Sequence, residues 1–358
     1  MSHAFRSLLQ KVGSGSHTSK DLTRAEAATA TFMMLQQEAT PAQLGAFMIA
    51  HRIKRPTPDE LAGMLDAYEQ LGPKLAAIES PHPVTVFSAP YDGRSRTLPI
   101  SPLAALILAA ADAPVIMHGG DRMPTKYGLP LIEIWQNLGL NWQRLTLSQI
   151  QQVLATTGLG FVYLPHHFVQ AQAMVPYRDQ IGKRPPFATV EIMWSPYGGQ
   201  AHLVSGFVHP PTEERTRTTL ALRNAPFFTT VKGLEGSCDL ARSRTAILGL
   251  GQSDGSFDRL LINARDYGFS SEDPPLLDEA EAIAAIQGVI EGKPGEVSQE
   301  VSQSAIWNGG FYLWRCGVCS SLEAGFTLAE KLITQGQLQQ KLSQIQQAIA
   351  ALTLVAPS

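Results

Sequence analysis

The sequence predicts an α/β protein led by a small helical module, and three observations point to it. Roughly the first 75 residues carry helical patterns joined by short connections, the spacing of a compact helical unit. Beyond them, short apolar runs bounded by Gly and Pro alternate with helical patterns, the signature of a parallel sheet with helices on its faces. A chain of 358 residues with 44% hydrophobic content also has enough apolar surface to bury a large core.

The first helix is predicted from Thr23 to Gln37, where Leu22, Ala25, Ala28, Phe32 and Leu35 share helical spacing and Thr23 with Glu26 makes a capping box. A second follows in PAQLGAFMIAHRIK, with Pro41 in the first turn and Leu44, Phe47, Met48 and His51 on one face. A third opens at Thr57 and Pro58, with Glu60 three residues after Thr57. VTVF, APVIMHG and GLGFVYLP then read as strands, separated by the helical patterns SPLAALILAAA and LPLIEIWQNLG. AHLVSGFVHP and APFFTTVKG read as further strands, while TLALRNA and SRTAILGLG are too short to assign. From FYLWRCG to the C-terminal end the pattern is helical with a break at Gly336, and its glutamine-rich end is a solvated face.

Composition narrows the function classes. Charged residues make up 16%, the net charge is -3, and so no global basic field advertises nucleic acid or an anionic membrane. No run of eighteen apolar residues exists and the start lacks an apolar signal core, which predicts a cytoplasmic protein with no membrane contact. Cys316 and Cys319 have redox or metal-site spacing, yet no Cys or His partners lie near them, so they read as small buried thiols at the start of a helix. The five tryptophans read as core or interface anchors.

The helical opening LTRAEAATATFMMLQQEATPAQLGAFMIAHRIKRPTPDELAGML resembles the start of anthranilate phosphoribosyltransferases, whose pattern is LT..EA followed by EA.PAQ..AFL.ALR.KG.T..E.AG. The likeness continues through VIMHGG, PTKYG and GLGFVYLP, so it spans essentially the whole chain. It implies the glycosyltransferase family 3 fold, shared with class II nucleoside phosphorylases. That fold has a small helical domain over 1–76, an α/β domain over 77–358 with a mixed, mostly parallel sheet, and an active site in the cleft between them. A segment near 165–190 is expected to pack back on the helical domain, and a homodimer through that domain is implied.

The site motifs depart from the family pattern. The enzymes carry GTGGDG after the first strand because backbone N–H groups must approach the pyrophosphate of phosphoribosyl pyrophosphate (PRPP). Here the loop is APYDG, in which Asp92 and Gly93 survive and Pro90 has no N–H to give. Arg94 and Arg96 enter the same loop, so guanidinium groups are expected to grip an anion in place of amides. TFNIST becomes TLPISP, leaving Thr97 and Ser101 as hydroxyl candidates, with Ser101 expected to cap the next helix. HGNR aligns to His118, Gly119, Gly120 and Asp121, Lys126 matches the family's ribose-and-phosphate lysine, and Arg122 falls one position late. On the acceptor side Phe168 takes the place of a histidine that packs on anthranilate. Arg178 matches the arginine that holds its carboxylate, while Ala188, Glu191 and Ile192 replace family residues.

The acidic Asp-Glu pair that holds Mg²⁺ in the enzymes is reduced to Glu235 in VKGLEGSCD, with Lys232 adding a positive charge. That change disfavours Mg²⁺ and favours a phosphate. KGLEGS and YDGRSR together are similar to divergent paralogues, some of which bind nucleic acid. Three readings follow, none assigning a catalytic residue. One is a cleft that binds a phosphorylated ligand or single-stranded nucleic acid with little or no anthranilate transfer. Its basic segments would be KRP at 54, GRSR at 93, GKRPP at 182 and ERTRTTLALR at 214. The second is a working phosphoribosyltransferase that needs Mg²⁺ and makes phosphoribosylanthranilate for tryptophan biosynthesis, and the third a nucleoside-phosphorylase-like enzyme.

Overall fold

The computed structural model describes residues 3–15, 17–276, 278–293 and 295–354. Four helices open the chain: α1 (His3–Gly13), α2 (Arg24–Leu35), α3 (Pro41–Lys54) and α4 (Pro58–Leu71). Thr23, Thr40 and Thr57 each close a reciprocal capping box with Glu26, Gln43 and Glu60, so three of the four start where local chemistry says they should. Helix α1 was not expected. Its Phe5 is fully buried 5.3 Å from Phe47 of α3, which joins it to the module.

The sheet has seven strands: β1 (Val84–Phe87), β2 (Val115–Gly119), β3 (Leu159–Tyr163), β4 (Ala201–Gly206), β5 (Phe227–Val231), β6 (Ala246–Gly251) and β7 (Phe257–Ile262). Their order is β3-β2-β1-β4-β5-β6-β7. The first five pair in parallel, while β6 pairs antiparallel with both β5 and β7, which makes the sheet mixed and mostly parallel. The unassigned SRTAILGLG supplies β6, and TLALRNA closes the helix Pro210–Leu222. Helix α5 (Ser101–Ala110) is apolar all round, with nine buried residues, because it lies between the sheet and the long helix Glu296–Arg315.

Short helices over 164–191 lie against the module: Tyr68 of α4 meets Phe168 at 5.2 Å edge-on and Phe187 at 6.1 Å. Toward the end of the chain, Gly317 and Gly336, at φ of 78° and 70°, separate the helices Glu296–Arg315, Leu322–Thr334 and Gln337–Leu354. Cys316 therefore ends one helix instead of starting the next. It is buried beside the Thr85 hydroxyl at 3.1 Å, and burial pushes its thiol up to about 11, the state of an inert packing residue. Trp135, Trp142 and Trp307 are fully buried in the core. Among the described residues no helix is long and apolar enough to cross a membrane.

Candidate anion site in the cleft

Strand order locates the site. Chain order reverses between β1 and β4, and in open α/β sheets the crevice beyond the carboxyl ends of the strands at such a switch point is where ligands bind. The loops after β1 (88–100) and after β5 (232–240) meet there.

The loop after β1 is pinned before it reaches the site. Gly93 sits at φ 78° and faces Gly128 so closely that a Cβ on Gly93 would meet the Gly128 carbonyl oxygen at 2.3 Å, and one on Gly128 the Arg94 carbonyl oxygen at 2.4 Å. Arg94 and Leu129 then exchange backbone hydrogen bonds at 3.1 and 2.7 Å. This close approach requires glycine at both positions.

Beyond this clamp the loop surrounds an anion, and the anion is a carboxylate of the chain. Oε1 of Glu235 accepts the backbone N–H groups of Arg96 and Thr97, each at 3.0 Å, and the Thr97 hydroxyl at 3.1 Å. Oε2 accepts the amide and hydroxyl of Ser95 at 3.3 Å each and the Lys126 ammonium at 3.2 Å. The loop thus keeps an amide nest despite Pro90, displaced a few residues from the place where the lost glycines would have made it.

Arg94 is not a free grip for a ligand. Its guanidinium is 4% exposed and donates to Glu235 at 3.3 Å, Ser237 at 2.7 Å, Asp239 at 2.6 Å and the Thr97 hydroxyl. Asp239 in turn accepts the Ile100 amide at 3.0 Å, ahead of α5. Ser101 does not cap α5: Ile100 is the cap residue, without a side-chain bond, and Ser101 is the first helical residue. Glu235 itself stands at φ 54°, a left-handed conformation that costs a non-glycine residue on the order of 1 kcal/mol and is held here by its many donors. The loop carrying it is fastened below, where Tyr312 donates to the Cys238 carbonyl, Cys238 donates to the Ser88 carbonyl at 2.8 Å, and Leu240 donates to Asn308 at 2.7 Å.

Burial alone would raise the Glu235 carboxyl. The Arg94 charge, the Arg96 and Thr97 amides and Lys126 outweigh it and hold the carboxyl well below the usual range. Both Glu235 oxygens and one of Asp239 are taken by donors on the chain, and among the described residues no group of three His, Cys, Asp or Glu side chains is placed to hold a metal. The residues therefore do not fit Mg²⁺ in this arrangement.

The other expected residues divide. Lys126 joins Glu235, and Arg96 approaches it at 3.8 Å with its side chain 77% exposed. Lys232 follows β5, half-buried, and makes no ion pair with Glu235. His118 and Gly119 end β2: His118 is buried, its Nδ1 is 2.6 Å from the Tyr91 hydroxyl, and burial pulls its ring down to about 4, so it is neutral at physiological pH. Arg122 is turned away onto Glu133 and Glu279 at 2.6 Å.

On the acceptor side, Phe168 is buried against Tyr68 and Trp194. Arg178 is also buried and already holds a carboxylate: Nη2 donates to Glu191 at 2.8 Å and Nη1 contacts the Met123 sulfur at 2.9 Å. Asp92 is 4% exposed, neither of its oxygens has a hydrogen-bond partner, and the nearest cation, Arg184, stands 3.9 Å away. Reading the sequence picked out Glu191 as a family replacement and Arg184 within GKRPP but missed the pairings, Glu191 with Arg178, Asp239 with Arg94 and Arg184 beside Asp92. The opposed charges of Arg178 and Glu191, on adjacent short helices, were the available signal.

A model described as the glycosyl transferase family helical bundle domain matches residues 6–72, and one described as the a/b domain of that family matches residues 92–339. The anthranilate phosphoribosyltransferase of Azorhizobium caulinodans is 29% identical over 352 residues, 97% of each chain. The anthranilate phosphoribosyltransferase of Saccharomyces cerevisiae in complex with PRPP and Mg shares the fold with a TM-score of 0.81 at 15% identity, over 98% of this chain and 99% of that one. That of Thermus thermophilus does so with a TM-score of 0.75 at 17% identity, over 98% and 100%.

Proposed function

Because the chain belongs to the glycosyl transferase family of the anthranilate phosphoribosyltransferases, in its helical bundle and its a/b domain alike, we propose that it binds a phosphorylated small molecule in the cleft and transfers little or nothing to anthranilate. The observation that carries this reading is the seat of Glu235. Amide N–H groups, hydroxyls, Arg94 and Lys126 converge on one anionic position, the donor set a phosphoryl group requires. Transfer is disfavoured for two reasons. A metal that would neutralise departing pyrophosphate meets Arg94 between Glu235 and Asp239, and the arginine matched to the anthranilate carboxylate is occupied by Glu191.

A second reading, single-stranded nucleic acid, is favoured by the placing of basic segments. Burial and then the Arg55 charge pull the Arg215 guanidinium below its usual value, and Arg52 donates to the Arg184 carbonyl at 3.0 Å. Arg52 and Arg55 at the end of α3 thus lie beside GKRPP and within reach of the charge of Arg215, while Lys54 of KRP is buried on Glu60. A homodimer through the helical module accords with Ile53 of α3, which is 68% exposed.

Titration calorimetry with PRPP, with and without Mg²⁺, and with a single-stranded oligonucleotide separates these readings, run beside a fluorescence assay of anthranilate consumption. The expected result is binding of PRPP without need of Mg²⁺, weakened in Lys126→Ala, and no turnover. Mg²⁺-dependent turnover would establish a working transferase, and salt-sensitive binding of the oligonucleotide alone would move the function to nucleic acid.

A further inference from the structure

The acceptor side of the cleft has inverted its chemistry. In the pattern this chain resembles, Arg178 would meet the carboxylate of an aromatic acid. Here Glu191 supplies that carboxylate from within, 2.8 Å from Nη2, with both side chains buried. A ligand carboxylate would have to displace Glu191 and leave it ionised without a partner, a penalty that works against acids. Beside this closed pair lie polar atoms that lack partners. Both Asp92 oxygens are buried without a donor, and so is Oε1 of Gln172, which lies beside Gly120, 3.5 Å from the position a Cβ there would take. Arg178 Nε is buried there without an acceptor, as is Nε2 of His118 without a partner. Asp92 belongs to the same neighbourhood, since its charge is felt at both Arg178 and Glu191. Arg184 at 3.9 Å is too distant to hydrogen-bond to Asp92, so both of its buried oxygens stay unpaired.

Aromatic rings make up the surroundings. Tyr91 and Trp194 meet the His118 ring at 5.5 and 5.1 Å, both edge-on, and Phe168 lies 5.4 Å from Trp194. Planar ligands suit such surroundings.

We propose that the acceptor side takes a planar ligand that carries no carboxylate and presents N–H donors to Asp92, with a carbonyl-like acceptor for Arg178 Nε: an aromatic or heteroaromatic amide or amine. The inference rests on the cleft being a ligand site, and it names the class that the acceptor side selects. Glu191 and Asp92 are specificity residues in it, one excluding acids and the other recruiting donors.

The test uses anthranilamide against anthranilate, two fluorescent compounds of one shape that differ by an amide for a carboxylate, titrated into the full chain with inorganic phosphate present. The wild-type protein is expected to bind anthranilamide at least about tenfold more tightly, the step made by one unpaired buried polar group. Asp92→Asn should cost anthranilamide about tenfold, and Glu191→Gln should shift the preference toward anthranilate by about tenfold. The preference ratio within each variant is the readout, so a general loss of stability does not imitate it. Equal or tighter binding of anthranilate by the wild type, an unchanged ratio in both variants, or no binding of either compound at millimolar concentration overturns the proposal. Phosphate binding measured in the same samples tells the two failures apart. If phosphate binds and anthranilamide does not, only this inference falls; if phosphate does not bind, the reading of the cleft falls with it.

Discussion

Glu60 in the helical module and Glu235 in the cleft are both buried carboxylates ringed by amides and cations. Glu60 accepts the amides of Leu22 at 2.9 Å and Thr57 at 2.7 Å and pairs with Lys54 at 2.7 Å and His51 at 3.5 Å. Lys54 is 7% exposed, so that shell is closed on every side and ties α2, α3 and α4 together. Glu235 has a similar shell, but Lys126 and especially Arg96 in it reach solvent. A closed shell makes a carboxylate a structural tie. A shell with open cations is what the proposed function requires of an occupant that another anion replaces.

The widest separation between the two should come from Glu60→Ala, which strands His51 and two amides in the interior and leaves Lys54 with Asp21 alone. We expect a loss of about 3–5 kcal/mol by urea denaturation, the cost of breaking a buried pair, and no recovery when phosphate is added. Glu235→Ala should lose about 3 kcal/mol for the same reason. In its case phosphate at a hundred times its Kd should restore about 2.7 kcal/mol, because the vacated nest then binds the added anion. If phosphate fails to stabilise Glu235→Ala, the two carboxylates are of one kind and the cleft site is only structural.

Acid sharpens the comparison further. The Glu60 carboxyl is lowered to about 2, where His51 and Lys54 outweigh the burial that would raise it, and Glu235 is held lower still. Both are depressed below their unfolded value of about 4.3, so their stabilisation is fully present above that pH and is lost as pH falls toward the folded values. Glu60→Gln and Glu235→Gln should each flatten the decline of stability between about pH 4.3 and 2. Phosphate should shift only the Glu235→Gln profile. The smallest effect belongs to Arg96→Ala, expected to change stability by less than about 0.5 kcal/mol because its side chain is solvated, while still weakening phosphate.

What the sequence disclosed follows from how local each feature is. Capping boxes span three residues and strands are short apolar runs, so α2, α3, α4 and β1 to β5 were legible. Helix α1 hides because only Phe5 and Val12 of HAFRSLLQKVG are buried. Strand β7, FDRLLI, hides because an edge strand exposes Leu261 and loses its alternation. At the site, the arginines and the surviving Asp92 and Gly93 were visible, as was the loss of the family's glycines. What Arg94 faces was not, since Glu235 and Asp239 lie 141 and 145 residues further along the chain. One sequence cannot show that a basic loop and an acidic turn satisfy each other.

The fastening beneath the Glu235 turn also makes the chain its own timepiece. Cys238 is buried within that turn, with burial pushing its thiol up to about 12, so it is both hidden and unreactive while the turn is seated. Alkylation there must wait for the turn to lift away from Ser88 and Tyr312. Its rate, read by mass spectrometry against the more accessible Cys319, counts how often the turn departs, and an anion in the nest that displaces Glu235 will change that count.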